Sequence, residues 1–152
     1  MGLHIVLIEP EIPNNTGNIG RLALATGCTL HLVKPFGFEI SDKRLRRAGL
    51  DYWVHLDKIF YDNVSDFFKA NADKKLMFFS SHGTKNYWNA KYEDETFLIF
   101  GKESSGLSEE ILTKYQSQTY KIPLFSPQIR SLNLSNAVAV TTYEGVRQIQ
   151  NL

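Results

Sequence analysis

The sequence predicts an α/β fold, a mostly parallel sheet with helices on both faces. Two observations carry that expectation. Strand and helix signals alternate along the chain, and the strand segments are apolar at nearly every position rather than at alternate ones. A strand covered on both faces needs such a run, and helices on both sides of a parallel sheet provide the cover. A length of 152 residues with 43% hydrophobic and 22% charged residues suits one folded domain, residues 1–152, and excludes wholesale disorder.

Leu3 to Ile8 is the first predicted strand, ended by Glu9-Pro10. Asn14-Asn15-Thr16-Gly17-Asn18 reads as a turn cluster, followed by a helix from about Ile19 to Thr26 that stops at Gly27. Arg21 then falls in the first helical turn, where the dipole disfavours a cation and the guanidinium is expected to face an anion. Thr29 to Val33 is a second strand, closed by Pro35. Asp42 reads as the N-cap of a short helix carrying Lys43 to Ala48, and Asp62 or Asn63 opens another helix to about Asn71. Leu76 to Phe79 and Phe97 to Phe100 are the third and fourth strands. Ser108 caps a helix, Tyr120 to Ile122 is a fifth strand ended by Pro123, and a long helix runs from about Leu134 towards Gln150. Ligands of open parallel sheets bind beyond the carboxyl ends of the strands. The loops after Ile8, Phe79, Phe100 and Ile122 are therefore the candidate site.

Composition narrows the function. No apolar run approaches the roughly 18 residues that span a bilayer, and the first residues lack a signal-peptide pattern. The single cysteine, Cys28, cannot form an intrachain disulfide. A cytoplasmic setting without a membrane is expected. His4, His31, His55 and His82 show no metal-ligand spacing, so no metal is expected. The net charge of +1 argues against a protein that binds nucleic acid by bulk charge. A neutral total can still hide a local patch, because Lys43, Arg44, Arg46 and Arg47 fall within five positions, with Lys34 upstream.

Three loops carry candidate chemistry. Asn15-Thr16-Gly17-Asn18-Ile19-Gly20-Arg21 resembles a dinucleotide-binding fingerprint with asparagine in place of the first glycine, and Glu39 lies roughly 20 residues on. It reads equally well as a helix start with Asn15 or Asn18 as cap and Gly20 allowing close packing. Gly101-Lys102-Glu103-Ser104-Ser105-Gly106 is a post-strand turn bounded by glycines, and lacks the spacing of a P-loop. The segment from Ile122 to Ala137 has two prolines and then Ser131, Asn133, Ser135 and Asn136. Four capping-type residues in six positions exceed what one helix end needs, so some can serve a ligand.

Taken in this order and spacing, the three loops resemble the three motifs of the SPOUT class of RNA methyltransferases. Glu9-Pro10-Glu11-Ile12-Pro13-Asn14-Asn15 and the stretch from Asp42 to Tyr52 extend the likeness to the minimal tRNA wobble-nucleotide 2′-O-methyltransferases of that class. The resemblance implies a deep trefoil knot at the C-terminal end, which periodicity alone does not show. It implies S-adenosylmethionine held bent in the knot by Phe79, Gly101, Ile122 and Ser131, with Leu124, Leu132 and Asn136 as neighbours. It also implies a homodimer through the first and last helices, and a tRNA anticodon stem-loop as substrate, with leucine isoacceptors expected.

The implied reaction moves a methyl group from a sulfonium to a ribose 2′-hydroxyl. The resemblance assigns Arg21 a direct catalytic role. A guanidinium stays protonated and offers no acceptor, so Arg21 is expected to grip a phosphate and stabilise a developing alkoxide rather than act as base. Glu103 is the candidate proton acceptor or loop-orienting group, and Asn133 and Asn18 are candidates for positioning the ribose or the loops. Lys43, Arg44, Arg46 and Arg47 are candidate RNA-backbone contacts, and Tyr143 a candidate for RNA binding or dimer orientation. Three alternatives stay open: a ribosomal RNA substrate, a dinucleotide-binding oxidoreductase domain, and a non-catalytic RNA-binding dimer.

Overall fold

A computed structural model of the chain describes residues 2–41, 43, 45, 47 and 52–150. Its strands are β1 (His4–Ile8), β2 (Thr29–Val33), β3 (Lys58–Tyr61), β4 (Leu76–Phe79), β5 (Lys85–Asn86), β6 (Phe97–Phe100) and β7 (Thr119–Lys121). They form one sheet in the order β3-β2-β1-β6-β4-β7-β5, and every pairing is parallel. Its helices are α1 (Pro13–Thr26), α2 (Val64–Ala70), α3 (Glu109–Lys114) and α4 (Leu134–Gln150). Lys43, Leu45 and Arg47 are helical as well, whereas the expected cap Asp42 and the candidates Arg44 and Arg46 lie outside the described residues. Among the described residues, no helix is long and apolar enough to cross a membrane.

The unbroken apolar runs are explained by two cores, one on each face of the sheet. Ile5 and Leu7 of β1, Met77 and Phe79 of β4, and Leu98 and Phe100 of β6 face the core shared with α1 and α4. The intervening Val6, Ile8, Phe78, Phe97 and Ile99 face the core shared with α2 and α3. Successive strand residues point to opposite faces, so a strand covered twice must be apolar throughout. The short edge strands escaped the sequence reading for the converse reason. Ile59 and Phe60 of β3 are 42% and 40% exposed, and β5 has only two residues.

Caps set several boundaries as expected. The Asn63 side chain accepts from the Asp66 amide, the Ser108 hydroxyl from the Ile111 amide, and Gly27 ends α1 in the left-handed region at φ 70°. The start of α1 differs. The helix begins at Pro13, not Ile19, so the asparagine-rich segment is helical rather than a turn. Pro13 suits this position, since the first turn has no use for its missing N–H. Arg21 therefore lies in the third turn, beyond the reach of the N-terminal dipole, and that reason for its facing an anion falls away. The last strand also sits one residue earlier than expected, at Thr119–Lys121.

Below the sheet a polar chain crosses the second core. His4 Nε2 meets Glu95 at 2.7 Å, His4 Nδ1 meets His31 Nε2 at 2.8 Å, and His31 Nδ1 meets the Tyr61 hydroxyl at 2.8 Å. Phe67 and Phe97 pack around His31, which is 2% exposed. Burial pushes His31 down to about 4 from 6.5, and the neighbouring His4 adds to the shift. Between those two values the folded chain binds fewer protons at this site than the unfolded chain. Stability is thus full above pH 6.5 and falls as the pH drops towards 4. The loss is expected to reach about 3 kcal/mol. His31→Gln should flatten that acid-side slope in urea titrations run across the same pH range; an unchanged slope would show that other groups carry it.

Candidate functional site

The loops after β1, β4, β6 and β7 meet beyond the carboxyl ends of the strands, around a cavity of about 480 Å³. This volume lies in the range of small-molecule sites. One hydrogen-bond network joins the three motif segments there. The Glu103 carboxylate, from the loop after β6, accepts from the backbone amides of Glu11 and Ile12, both at 2.9 Å, and from Asn15 Nδ2 at 3.2 Å. Asn15 Oδ1 in turn accepts from Asn133 Nδ2 at 3.1 Å. Asn133 Oδ1 accepts from the Ser135 amide at 2.9 Å and the Asn136 amide at 3.4 Å, which caps α4. In the reverse direction, Ser104 N donates to Glu11 Oε1 at 2.8 Å. That amide, with help from Lys102, holds the Glu11 carboxyl below its ordinary value.

This network accounts for the unexpected start of α1. Ile12 has no side chain able to cap, and no acidic residue stands in the first turn. Glu103 supplies the missing carboxylate from 91 residues away. It holds the two amides that lead into the helix and the Asn15 side chain in its first turn, and a negative group at a helix N-terminus complements the dipole. Asn15, 5% exposed, is the hub; the sequence places it at the head of the first motif and as a possible cap, without naming these partners. Its signal was the excess of asparagines around the motif, but the partners cannot be read from spacing.

Close backbone approach shapes the rest. A Cβ on Gly101 would stand 2.1 Å from the carbonyl carbon of Gly106 and 2.2 Å from Leu107 N. A Cβ on Gly83 would stand 2.5 Å from the carbonyl carbon of Tyr120, tying the loop after β4 to β7. Both loops can therefore present backbone groups to the cavity only because glycine occupies these positions.

Of the residues singled out from sequence, Phe79, Gly101, Ile122, Leu124, Ser131 and Leu132 line this cavity, together with Glu103 and Asn133. Asn136 does not line it; its amide serves the α4 cap. Ser81, His82 and Arg130 line it too. Arg21 and Asn18 lie elsewhere, on the exposed face of α1, with the Arg21 guanidinium carbon 5.0 Å from the centroid of the Tyr52 ring. Tyr143, 53% exposed, and Val140, 42% exposed, share the outer face of α4. Lys43 and Arg47 are exposed. The dinucleotide fingerprint does not form a phosphate-cradling loop: Gly17 and Gly20 are buried inside α1, where a Cβ on Gly20 would stand 2.9 Å from the Trp53 ring. Among the described residues no group of three His, Cys, Asp or Glu could hold a metal ion.

The SpoU rRNA Methylase family matches residues 2–143. The tRNA (cytidine(34)-2′-O)-methyltransferase of Saccharophagus degradans is 46% identical over 147 residues, covering 96% of this chain and 95% of that protein. A structure solved for insight into 2-OH methylation of C/U34 on tRNA superposes with a TM-score of 0.94 at 44% identity, covering 99% of this chain and 97% of the other. The Streptomyces viridochromogenes methyltransferase AviRb in complex with AdoMet superposes with a TM-score of 0.82 at 26% identity, covering 97% of this chain and 57% of that one.

Two substitutions test the network and the close approach of the loop after β6. Glu103→Gln leaves one acceptor oxygen and turns an amide group towards a backbone N–H, so it is expected to cost about 1–3 kcal/mol in urea unfolding. A change below about 0.5 kcal/mol would show that the bracing is not needed. Gly101→Ala is expected to force the loop after β6 away from Gly106, visible as lost amide-exchange protection in that loop.

Proposed function

The chain belongs to the SpoU rRNA methylase family, and from that footing we propose that it transfers a methyl group from S-adenosylmethionine to the ribose 2′-hydroxyl of nucleotide 34, the wobble pyrimidine, in tRNA. The observation that carries the reading is the joining of all three motif segments, through Asn133, Asn15 and Glu103, around one cavity. The near-full-length likeness to a tRNA (cytidine(34)-2′-O)-methyltransferase supports the choice of nucleotide.

The cavity suits the methyl donor. Ile122, Leu124, Leu132 and Phe79 offer apolar surface for a flat ring system, and the turn from Gly101 to Gly106 offers backbone groups for polar edges. When bound, the donor supplies an already activated methyl group. The protein's task is then alignment, burial and management of the hydroxyl proton. Ser131 stands on the cavity wall as a further hydroxyl partner.

We assign Glu103 a positioning role, since its oxygens already accept from two backbone amides and from Asn15. Asn133 both caps α4 and holds Asn15, so it positions the cavity wall from which it projects. For Arg21 we retain the role that the family resemblance implies, gripping phosphate and stabilising the oxyanion. It lies outside the cavity lining of its own chain, on the helix face that the proposed homodimer would use. Val140 and Tyr143 give α4 an exposed apolar stripe that fits the same assembly. Pairing two chains would also double the basic surface that Lys43 and Arg47 present to an anticodon stem. The trefoil knot is in keeping with the sheet order, in which β7 lies inside the sheet, between β4 and β5.

The test is methylation of total tRNA with labelled S-adenosylmethionine, followed by nucleoside mapping. Label on a 2′-O-methylated wobble pyrimidine is expected; label confined to ribosomal RNA would overturn the substrate. Arg21→Ala should keep donor affinity and lose roughly 100-fold or more in turnover, the usual cost of removing one charge-stabilising donor. Weakened donor binding in that variant would instead place Arg21 in the donor site.

A further inference from the structure

Phe125 is the most exposed large apolar side chain among the described residues, at 89%. It is not an isolated case. Leu124, Ile129 and Leu132, 36%, 51% and 37% exposed, lie within a few residues of it in the segment between β7 and α4. Leu124 and Leu132 line the cavity, and Phe125 does not, so the ring stands at the rim and faces solvent. Its mounting is stiff. Pro123 and Pro127 bracket it, and a turn follows in which Gln128 N donates to Ser126 Oγ at 3.3 Å and Ile129 N to Ser126 O at 3.4 Å. A rigid loop that holds an aromatic ring in water beside a binding cavity is built to receive something flat and apolar-faced.

The chemistry of the rim identifies the occupant. Arg130, exposed and on the cavity wall, brings a cation next to the apolar side chains. A ring that stacks and a guanidinium that pairs with phosphate together match single-stranded RNA. A ribose cannot reach a methyl group inside the cavity while its nucleotide stays stacked in a loop, so the target must swing out and leave its neighbour with one face unstacked. Resting on the reading that this chain methylates a ribose in an RNA loop, we propose that Phe125 is the stacking platform for the nucleobase next to the methylated nucleotide. It takes that base by its face rather than its edge, so it selects for an opened loop more than for a particular base.

The experiment measures methylation of an anticodon stem-loop RNA by wild-type protein, Phe125→Leu and Phe125→Trp. Each is assayed on intact RNA and on RNA carrying an abasic site at either neighbour of the target. For Phe125→Leu, KM for intact RNA should rise roughly 10-fold, the scale of one lost base–aromatic stack. Its kcat and S-adenosylmethionine affinity should stay unchanged. On the RNA lacking the stacking base, wild type and Phe125→Leu should have the same KM, and Phe125→Trp should match wild type on both RNAs. Equal KM rises for Phe125→Leu on intact and both abasic RNAs would overturn the proposal, as would an unchanged KM on intact RNA. So would weakened donor binding or a changed subunit count, which would mean that Phe125 covers the donor or a second copy. If the wild-type protein methylated no RNA at all, the reading of the reaction would fail and this proposal with it; wild-type activity with any of the other contrary results overturns the proposal alone.

Discussion

The carboxylate of Glu103, set against the amides of Glu11 and Ile12 just ahead of α1, is the interaction on which the rest of the site depends. It braces the chain as it enters α1, which begins at Pro13 with no side-chain cap from Ile12. With the helix started there, Asn15 falls inside its first turn and can hold Glu103 with one end of its amide and Asn133 with the other. A buried amide that uses both ends in this way leaves little freedom in its surroundings, because a partner lost on either side strands a polar group. The loop after β6, the start of α1 and the start of α4 are consequently placed as one unit.

The sheet makes this economy possible. Its central strands are covered on both faces, so they form a rigid base whose carboxyl ends lie side by side. Short loops leaving such a base have few ways to run, and glycines at 83 and 101 bring backbones closer than any side chain would permit. The resulting cavity is lined by apolar residues from the segment after β7 and by polar groups from the loop after β6. That division suits a ligand with one flat face and several polar edges.

The sequence made the central strands and the long last helix legible, because continuous apolar runs and a well-formed cap are local properties. Asn63, Ser108 and Gly27 acted where their residue types said they would. The edge strand β3 was not legible, since Ile59 and Phe60 stand partly in solvent and share no run with a covered strand. The start of α1 is not legible for a different reason: the carboxylate that braces it comes from a residue distant in sequence, and the nearby Asn-Thr-Gly cluster has turn-forming character of its own. That error carried over to Arg21, whose supposed place in the first turn vanished with it. Most residues expected at the cavity line it, because the motif resemblance was specific, while the Asn136 backbone amide bonds Asn133 at the helix start.

The bond between Asn133 and Asn15 joins residues 118 positions apart. During synthesis the first helix is complete long before its partner leaves the ribosome, and until then Asn15 has only water or Glu103 for company. The cavity has no far wall at that stage, because Leu132, Asn133 and Leu134 belong to the last quarter of the chain. Contacts of such long sequence separation form late and slowly. A truncated or partly made chain can thus possess most of the sheet and yet no ligand site, so ligand capture reports the completed molecule rather than its parts.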